Sequence, residues 1–386
     1  NSGPLDRGRP LWEQHYIEGL SGRRWATFTR IHHALMDGKW GMRLAHETTS
    51  ADPRARHLPP YWAVRFDKAA DAEDGSGRDQ AQPGWWERQT QMRRQGAETL
   101  TELRKAFGRM IESYRHPSDD GLVSPYVAPE CVLNGKLTAQ RELGVVRLEL
   151  ARIKRLAHAN EATVNEVVLC ICGGALRRYL LARDALPDKS LVANMPIAVA
   201  RADAGSGGNA IVSGMVYLAT HLADPAGRFR AVRGSSRHAK ELYREMPSQT
   251  ALSIYLGVSG IPFILAQLAG QAEKVHAQTL VISNVPGPRE RRYVNGAELL
   301  SEFPISLLVP GQAMNITVVS LADALDVAVL VCPSLAPAPQ EVADGIADSL
   351  DELERALGPR RSATRKSRTT PKTASRRTQP AARRSR

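Results

Sequence analysis

Residues 314–357 constrain the fold more tightly than any other stretch. Met314–Ser320 and Leu325–Cys332 are apolar, β-branched runs joined by a short Leu-Ala-Asp-Ala connection, which predicts a β-hairpin. From about Pro339, Val342, Ile346, Leu350, Leu353 and Leu357 recur at spacings of three and four. That predicts an amphipathic helix, stopped by Gly358-Pro359. A hairpin followed by a helix with one apolar stripe requires helix packed on sheet. Further strands are predicted at Ala26–Ile31, Gly144–Leu150, Leu191–Pro196, Ser213–His221 and Thr279–Ser283. In Gly144–Leu150, Val146, Leu148 and Leu150 share one face, and Arg147 and Glu149 the other. Thr163 and Glu166 form a T-x-x-E capping box that starts a helix, and Val167–Leu181 is apolar on most sides and hence buried. Within it Cys170 and Cys172 point apart at i and i+2, so small buried side chains are the better reading than a redox or metal pair. Trp85–Tyr114 is a predicted helix with Leu100, Leu103, Phe107, Met110 and Tyr114 on a core, preceded by a polar surface loop at Asp67–Gly84. Strands mixed with long helices through both halves predict an α/β sandwich.

Composition excludes several classes. Four cysteines in 386 residues are too sparse for a disulfide-stapled protein, and 42% hydrophobic residues exclude wholesale disorder. The net charge of +12 is concentrated in Pro359–Arg386, which carries eleven Lys/Arg and no acid, leaving +1 for residues 1–358. This Ser/Thr/Pro/Arg-rich tail is expected to be disordered. It reads as a solvated extension, with anionic lipid headgroups as the next reading. Nucleic acid ranks third, because no aromatic residue is interleaved for base stacking, and no specific nucleic-acid partner is expected. The opening NSGPLDRGRPLWEQ has no apolar run, so no secretory signal is visible and the expected compartment is cytoplasmic. Ala251–Ala272 has no charged residue over 22 positions, enough to span a bilayer, but Pro262 and three glycines dilute it. A buried helical hairpin or acyl-chain wall is expected there, ahead of shallow insertion and of a true span.

The densest polar motif is Ile31-His32-His33-Ala34-Leu35-Met36-Asp37-Gly38, at the end of the predicted strand Ala26–Ile31. Strand ends combine a rigid scaffold with an open surface. An imidazole with an ordinary pKa of about 6.5 suits a general base. A carboxylate four residues on can sit one turn away, and Gly38 permits a tight backbone. By pattern alone, catalysis and a structural role stay open. A metal reading with His32 or His33 and Asp37 lacks a third ligand of suitable spacing.

His32-His33-x-x-x-Asp37-Gly38 resembles the HHxxxDG signature of CoA-dependent acyltransferases, which include chloramphenicol acetyltransferase-like enzymes and the condensation domains of peptide synthetases. The upstream residues are Pro4-Leu5-Asp6-Arg7 and Arg9-Pro10-Leu11-Trp12-Glu13. Downstream come Leu133-Asn134-Gly135, Thr163–Leu169, Gly208-Asn209, Ser283-Asn284-Val285-Pro286-Gly287-Pro288 and Met314-Asn315-Ile316-Thr317. In this order, from about residue 4 to 357, they resemble the bacterial wax ester synthase/diacylglycerol acyltransferase family.

The resemblance implies two chloramphenicol-acetyltransferase-like lobes with the active site in a tunnel between them. The expected units are an acyltransferase domain over 1–185, a C-terminal domain over 186–357 and the tail over 358–386. Members carry a substantial section before the Pro-Leu-Asp region, so the N-terminal lobe is expected to be incomplete in this chain. The implied substrates are fatty acyl-CoA, which is no bound cofactor, and the hydroxyl of diacylglycerol or a fatty alcohol. His33 would be the base in a direct transfer without acyl-enzyme or metal, His32 would support it, and Asp37 would hold the turn. Asn284 would sit near His33 and orient substrate or stabilise developing oxyanion charge, the alternative being an amide that caps its own turn, and Gly38 is the second expected substrate-binding residue. The implied place of work is a peripheral membrane or lipid-droplet surface. Two other readings stand beside this one: a superfamily acyltransferase with a different acceptor, and a non-catalytic, lipid-binding relative.

Overall fold

The computed structural model describes residues 3, 5–32, 35, 38–64, 101, 104–199, 210–244, 248–271, 274 and 276–358. The predicted loop at 67–84, most of the predicted helix 85–114, Gly208-Asn209 and the basic tail lie outside these residues.

Trp12–Leu20 (β1) and Arg24–Ile31 (β2) form an antiparallel hairpin, followed by helix α1 at Gly38–Glu47. Residues 104–115 are helical (α2). Glu142–Glu149 (β3), Leu150–Ala159 (α3) and Val164–Leu181 (α4) come next, then Val192–Val199 (β4), Ala210–Tyr217 (β5) and Pro225–Arg244 (α5). Ser248–Tyr255 (α6) and Ile261–Leu268 (α7) precede Leu280–Val285 (β6) and the short pair Tyr293–Val294 (β7) and Ala297–Glu298 (β8). Met314–Leu321 (β9), Ala324–Val331 (β10) and Pro339–Leu357 (α8) complete the order.

Six strands form one mixed sheet in the order β3-β10-β9-β6-β4-β5. The predicted hairpin is β9–β10, turned by Ala322 and Asp323, and β6 runs parallel to both β9 and β4. One face of the sheet meets the helices. Leu148, Leu280, Ile282, Met314, Ile316, Val318, Val327 and Val329 share a buried cluster with Val167–Cys172 of α4 and with Val342, Ile346 and Leu350 of α8. Residues on both sides of position 185 therefore build one core. Strand alternation sends Asn194, Ser283, Asn315, Thr317 and Asp326 to the other face. Asp326 is buried and paired with Arg147, its cross-strand neighbour on β3, at 3.0 Å.

The capping box at Thr163 and Glu166 is formed in both directions. Close approach explains the Gly173-Gly174 pair in α4: a Cβ on Gly173 would lie 2.6 Å from the Leu218 carbonyl oxygen, and one on Gly174 2.8 Å from Ser349 Oγ. Cys170 and Cys172 are free and buried, and burial pushes both thiols up to about 12.

Three expectations are corrected. Leu150 opens α3 instead of ending β3. Phe107 and Tyr114 are 49% and 71% exposed, because α2 packs through Ala106 and Met110, whose smaller or more pliable side chains meet a cluster with Val212, Leu242 and Tyr243. The uncharged segment is no buried hairpin: over Thr250–Leu268 only Thr250, Ala251 and Ile254 are buried among the described residues. Leu252, Leu256, Ile261, Leu265 and Leu268 stay exposed, and the helix meets the body along Ala251, Ile254, Tyr255 and Val258.

Candidate active site

The hairpin carries the dihistidine motif outward. Trp12 pairs with Ile31 at the end of the β1–β2 ladder, and Glu13 faces Arg30, whose guanidinium holds the carboxylate at 2.6 Å. Beyond the ladder, the His32 N–H donates to the Leu11 carbonyl at 2.9 Å, and the Leu35 N–H donates to the His32 carbonyl at 2.8 Å. The strand therefore ends at Ile31, and α1 begins at Gly38. His32 is exposed. His33 and Asp37 lie outside the described residues. Trp12 stacks on Trp62, with ring centroids 5.6 Å apart and planes 6° from parallel, which ties the strand to the segment following α1.

The far end of α1 is clasped from the other half of the chain. Buried Arg292 donates from Nε to Thr49 Oγ1 at 2.9 Å, and from its second terminal nitrogen to the carbonyls of His46 and Thr49 at 2.7 and 2.6 Å. The Thr49 hydroxyl donates in turn to Ala45 O at 2.6 Å. A cation at a helix C-terminus satisfies carbonyls that lack an intrahelical partner and complements the helix dipole. Beside it, Ser50 and Tyr293 exchange backbone hydrogen bonds at 2.9 and 2.8 Å. The Arg292 side chain therefore fixes the helix that starts at Gly38. Sequence reasoning missed it. Its only signal is a basic run, Arg289-Glu290-Arg291-Arg292, just past the Pro-Gly-Pro turn.

Asn284 lies at the end of β6, half-buried and opposite Val318 of β9. It shares parity with Leu280 and Ile282, which places it at the rim of the helix-covered face. The following turn is held against β9: the Gly287 N–H donates to Ser320 Oγ at 3.0 Å, and the Ala322 N–H donates to the Pro288 carbonyl at 2.9 Å. A side chain at Gly287 would collide with the Ser320 carbonyl. The motifs at 133–135 and 314–317 also converge. Asn134 Nδ2 donates to Gly311 O at 2.9 Å, and the Ala313 N–H donates to Leu133 O at 2.8 Å, immediately before β9. The Thr317 hydroxyl lies 2.7 Å from Asn315 Oδ1 and 2.8 Å from Ser306 Oγ, making a buried polar line on the second sheet face.

Residues 1–168 match the wax ester synthase/diacylglycerol acyltransferase catalytic domain, and residues 207–354 match the C-terminal domain of the same family. A putative diacylglycerol O-acyltransferase of Mycobacterium tuberculosis is 38% identical over 360 residues, covering 93% of this chain and 77% of that protein. The O-acyltransferase WSD of Acinetobacter baylyi is 34% identical over 351 residues, covering 91% and 74%. The solved wax ester synthase/diacylglycerol acyltransferase of Marinobacter aquaeolei superposes with a TM-score of 0.66 at 29% identity, covering 93% of this chain and 74% of that one. A nonribosomal peptide synthetase superposes at a TM-score of 0.50 and 19% identity over 93% of this chain and 34% of its own, a likeness of fold alone. These likenesses bear out the α/β, two-lobed, chloramphenicol-acetyltransferase-like architecture. Over both matched domains and nearly its whole length, the chain belongs to the wax ester synthase/diacylglycerol acyltransferase family.

Proposed function

We propose that this protein transfers a fatty acyl group from acyl-CoA to the hydroxyl of diacylglycerol or a fatty alcohol, forming triacylglycerol or wax ester. The observation that carries the reading is an intact His32-His33-x-x-x-Asp37-Gly38 in a member of this family, starting where the β1–β2 hairpin hands over to α1. In the proposed step His33 takes the acceptor hydroxyl proton as its oxygen attacks the thioester carbonyl. The tetrahedral intermediate collapses, the C–S bond breaks, and the CoA thiolate leaves with the proton that His33 held. Asp37 holds the turn and His32 supports it. Asn284, half-buried near the end of β6, would orient substrate or donate to the developing oxyanion.

Fatty acceptors partition into lipid, so the reading implies work at a membrane or lipid-droplet surface. The acid-free tail Pro359–Arg386 adds Coulomb attraction to anionic headgroups, screened over about 8 Å at physiological salt. The decisive experiment assays esterification of dioleoylglycerol and of hexadecanol with labelled palmitoyl-CoA. His33→Ala should lower turnover by roughly 10²–10⁴-fold with the melting temperature unchanged. A near-normal rate in that variant rejects the mechanism. Asp37→Asn should keep more activity than Asp37→Ala, because the amide preserves the shape of the turn.

A further inference from the structure

An apolar stripe runs unbroken past a proline. α6, the π-helical turn Leu256–Gly260 and α7 form one continuous helix. Pro262 has no N–H to give the carbonyl of Val258, four residues back. The Tyr126 hydroxyl donates to that carbonyl instead, at 2.9 Å. The Ile261 N–H reaches back five residues to the Leu256 carbonyl, and a turn of that size sets residues five apart over one another. A regular α-helix would send Leu256 and Ile261 to different sides. Here Leu252, Leu256, Ile261, Leu265 and Leu268 form a single stripe, all exposed, with Leu268 80% exposed.

Helix α2 lies alongside. Ala106 shares a buried cluster with Ala251 and Ile254, and Met110 and Val258 pack against it. Outward, α2 presents Phe107, Ile111 and Tyr114, spaced four and three residues apart and all exposed. Around them on α2 stand exposed Arg104, Lys105, Arg109 and Arg115, against the single acid Glu112 among its described residues. An aliphatic stripe with no charge, beside a helix that mixes cations with aromatic and aliphatic side chains, matches the two requirements of in-plane membrane binding: apolar depth and attraction to phosphate.

We infer that this two-helix face is the docking surface for an anionic lipid layer, with α6–α7 entering the acyl boundary and the α2 cations meeting headgroup phosphates. The helix lies in the plane and does not span. Its inner side is held to the body by Ala251, Ile254 and the Tyr126 hydrogen bond, and the cations of the adjoining α2 belong in the headgroup layer. The inference deepens the acyltransferase reading and rests on it for the presence of lipid substrates.

The test is flotation of the full chain with vesicles of phosphatidylcholine alone and of phosphatidylcholine with phosphatidylglycerol. Leu265→Asp/Leu268→Asp should lower the bound fraction roughly tenfold on both vesicle types. Arg109→Glu/Arg115→Glu should lower it only where phosphatidylglycerol is present. Both variants should esterify detergent-solubilised dioleoylglycerol within about twofold of the parent, because neither changes the dihistidine motif. A parent inactive on solubilised substrate would reject the acyltransferase reading and leave the flotation result to decide the docking face. Three outcomes overturn the inference: flotation of both variants equal to the parent, carbonate-resistant insertion of the parent as a span, or a parent dimer that the apolar double substitution converts to monomer while flotation is unchanged.

Discussion

Two helical stretches of this chain carry no charge, and the fold treats them in opposite ways. In α4, Val167–Leu176 carries none and is buried throughout. In α6–α7 the uncharged run is longer, yet its large side chains face outward. The difference lies in distribution around the cylinder. α4 places Val, Ile, Leu and Cys on every side and opens two glycines toward its neighbours, so it can be enclosed by the sheet and by α5 and α8. α6–α7 exposes Leu252, Leu256, Ile261, Leu265 and Leu268 along one stripe and turns Ala251, Ile254 and Val258 toward the body. Total hydrophobicity cannot distinguish the two; angular spread does.

That contrast can be broken by substitution. The largest effect is expected at Gly173, where any β-carbon meets the Leu218 carbonyl. Gly173→Val should cost about 3 kcal/mol or more in urea unfolding. Gly257→Ala, with no atom within 4 Å of the new carbon, should be close to neutral, and equal losses at both positions would remove the distinction. Next come the leucines. Leu176→Ala, in a fully buried site, should lose about 2–5 kcal/mol, whereas Leu265→Ala should stay within about 0.5 kcal/mol. Thr163→Ala removes the hydroxyl from the α4 capping box and should cost about 1 kcal/mol by thermal melting. The smallest perturbation is chemical. With thiols pushed up to about 12 and buried, Cys170 and Cys172 should resist iodoacetamide at mildly alkaline pH until the protein unfolds. A cysteine introduced by Leu265→Cys should be labelled at once, as mass spectrometry would read.

The legible parts of the fold were those governed by local rules. The β9–β10 hairpin, the α4 capping box and the α8 stripe each follow from neighbours in sequence. α3 and α5 were not anticipated: α3 follows β3 with no intervening loop, and the buried face of α5 mixes Arg228, Ser235 and Ser236 with its apolar residues. Arg228 of α5 is buried and reaches Glu352 of α8 at 3.2 Å, a pairing no local pattern announces. α2 misled for a related reason: its larger apolar residues looked like the inward stripe, while Ala106 and Met110 make the contact. At the site, the dihistidine motif and the Asn284 turn were readable as patterns. Arg292 was not, since its acceptors lie more than 240 positions away, in the last turn of α1 and just beyond it.

The Arg292 clasp has a further consequence. Its acceptors are two carbonyls and one hydroxyl, all neutral, and a guanidinium keeps its charge across the working range of any enzyme. Nothing in the joint gains or loses a proton, so the seat of α1 is the same in acid as in mild alkali. Proton-dependent behaviour measured near the dihistidine turn therefore cannot originate in that joint. The hairpin on the other side of the motif differs, because its Glu13–Arg30 pair does contain a titrating carboxylate.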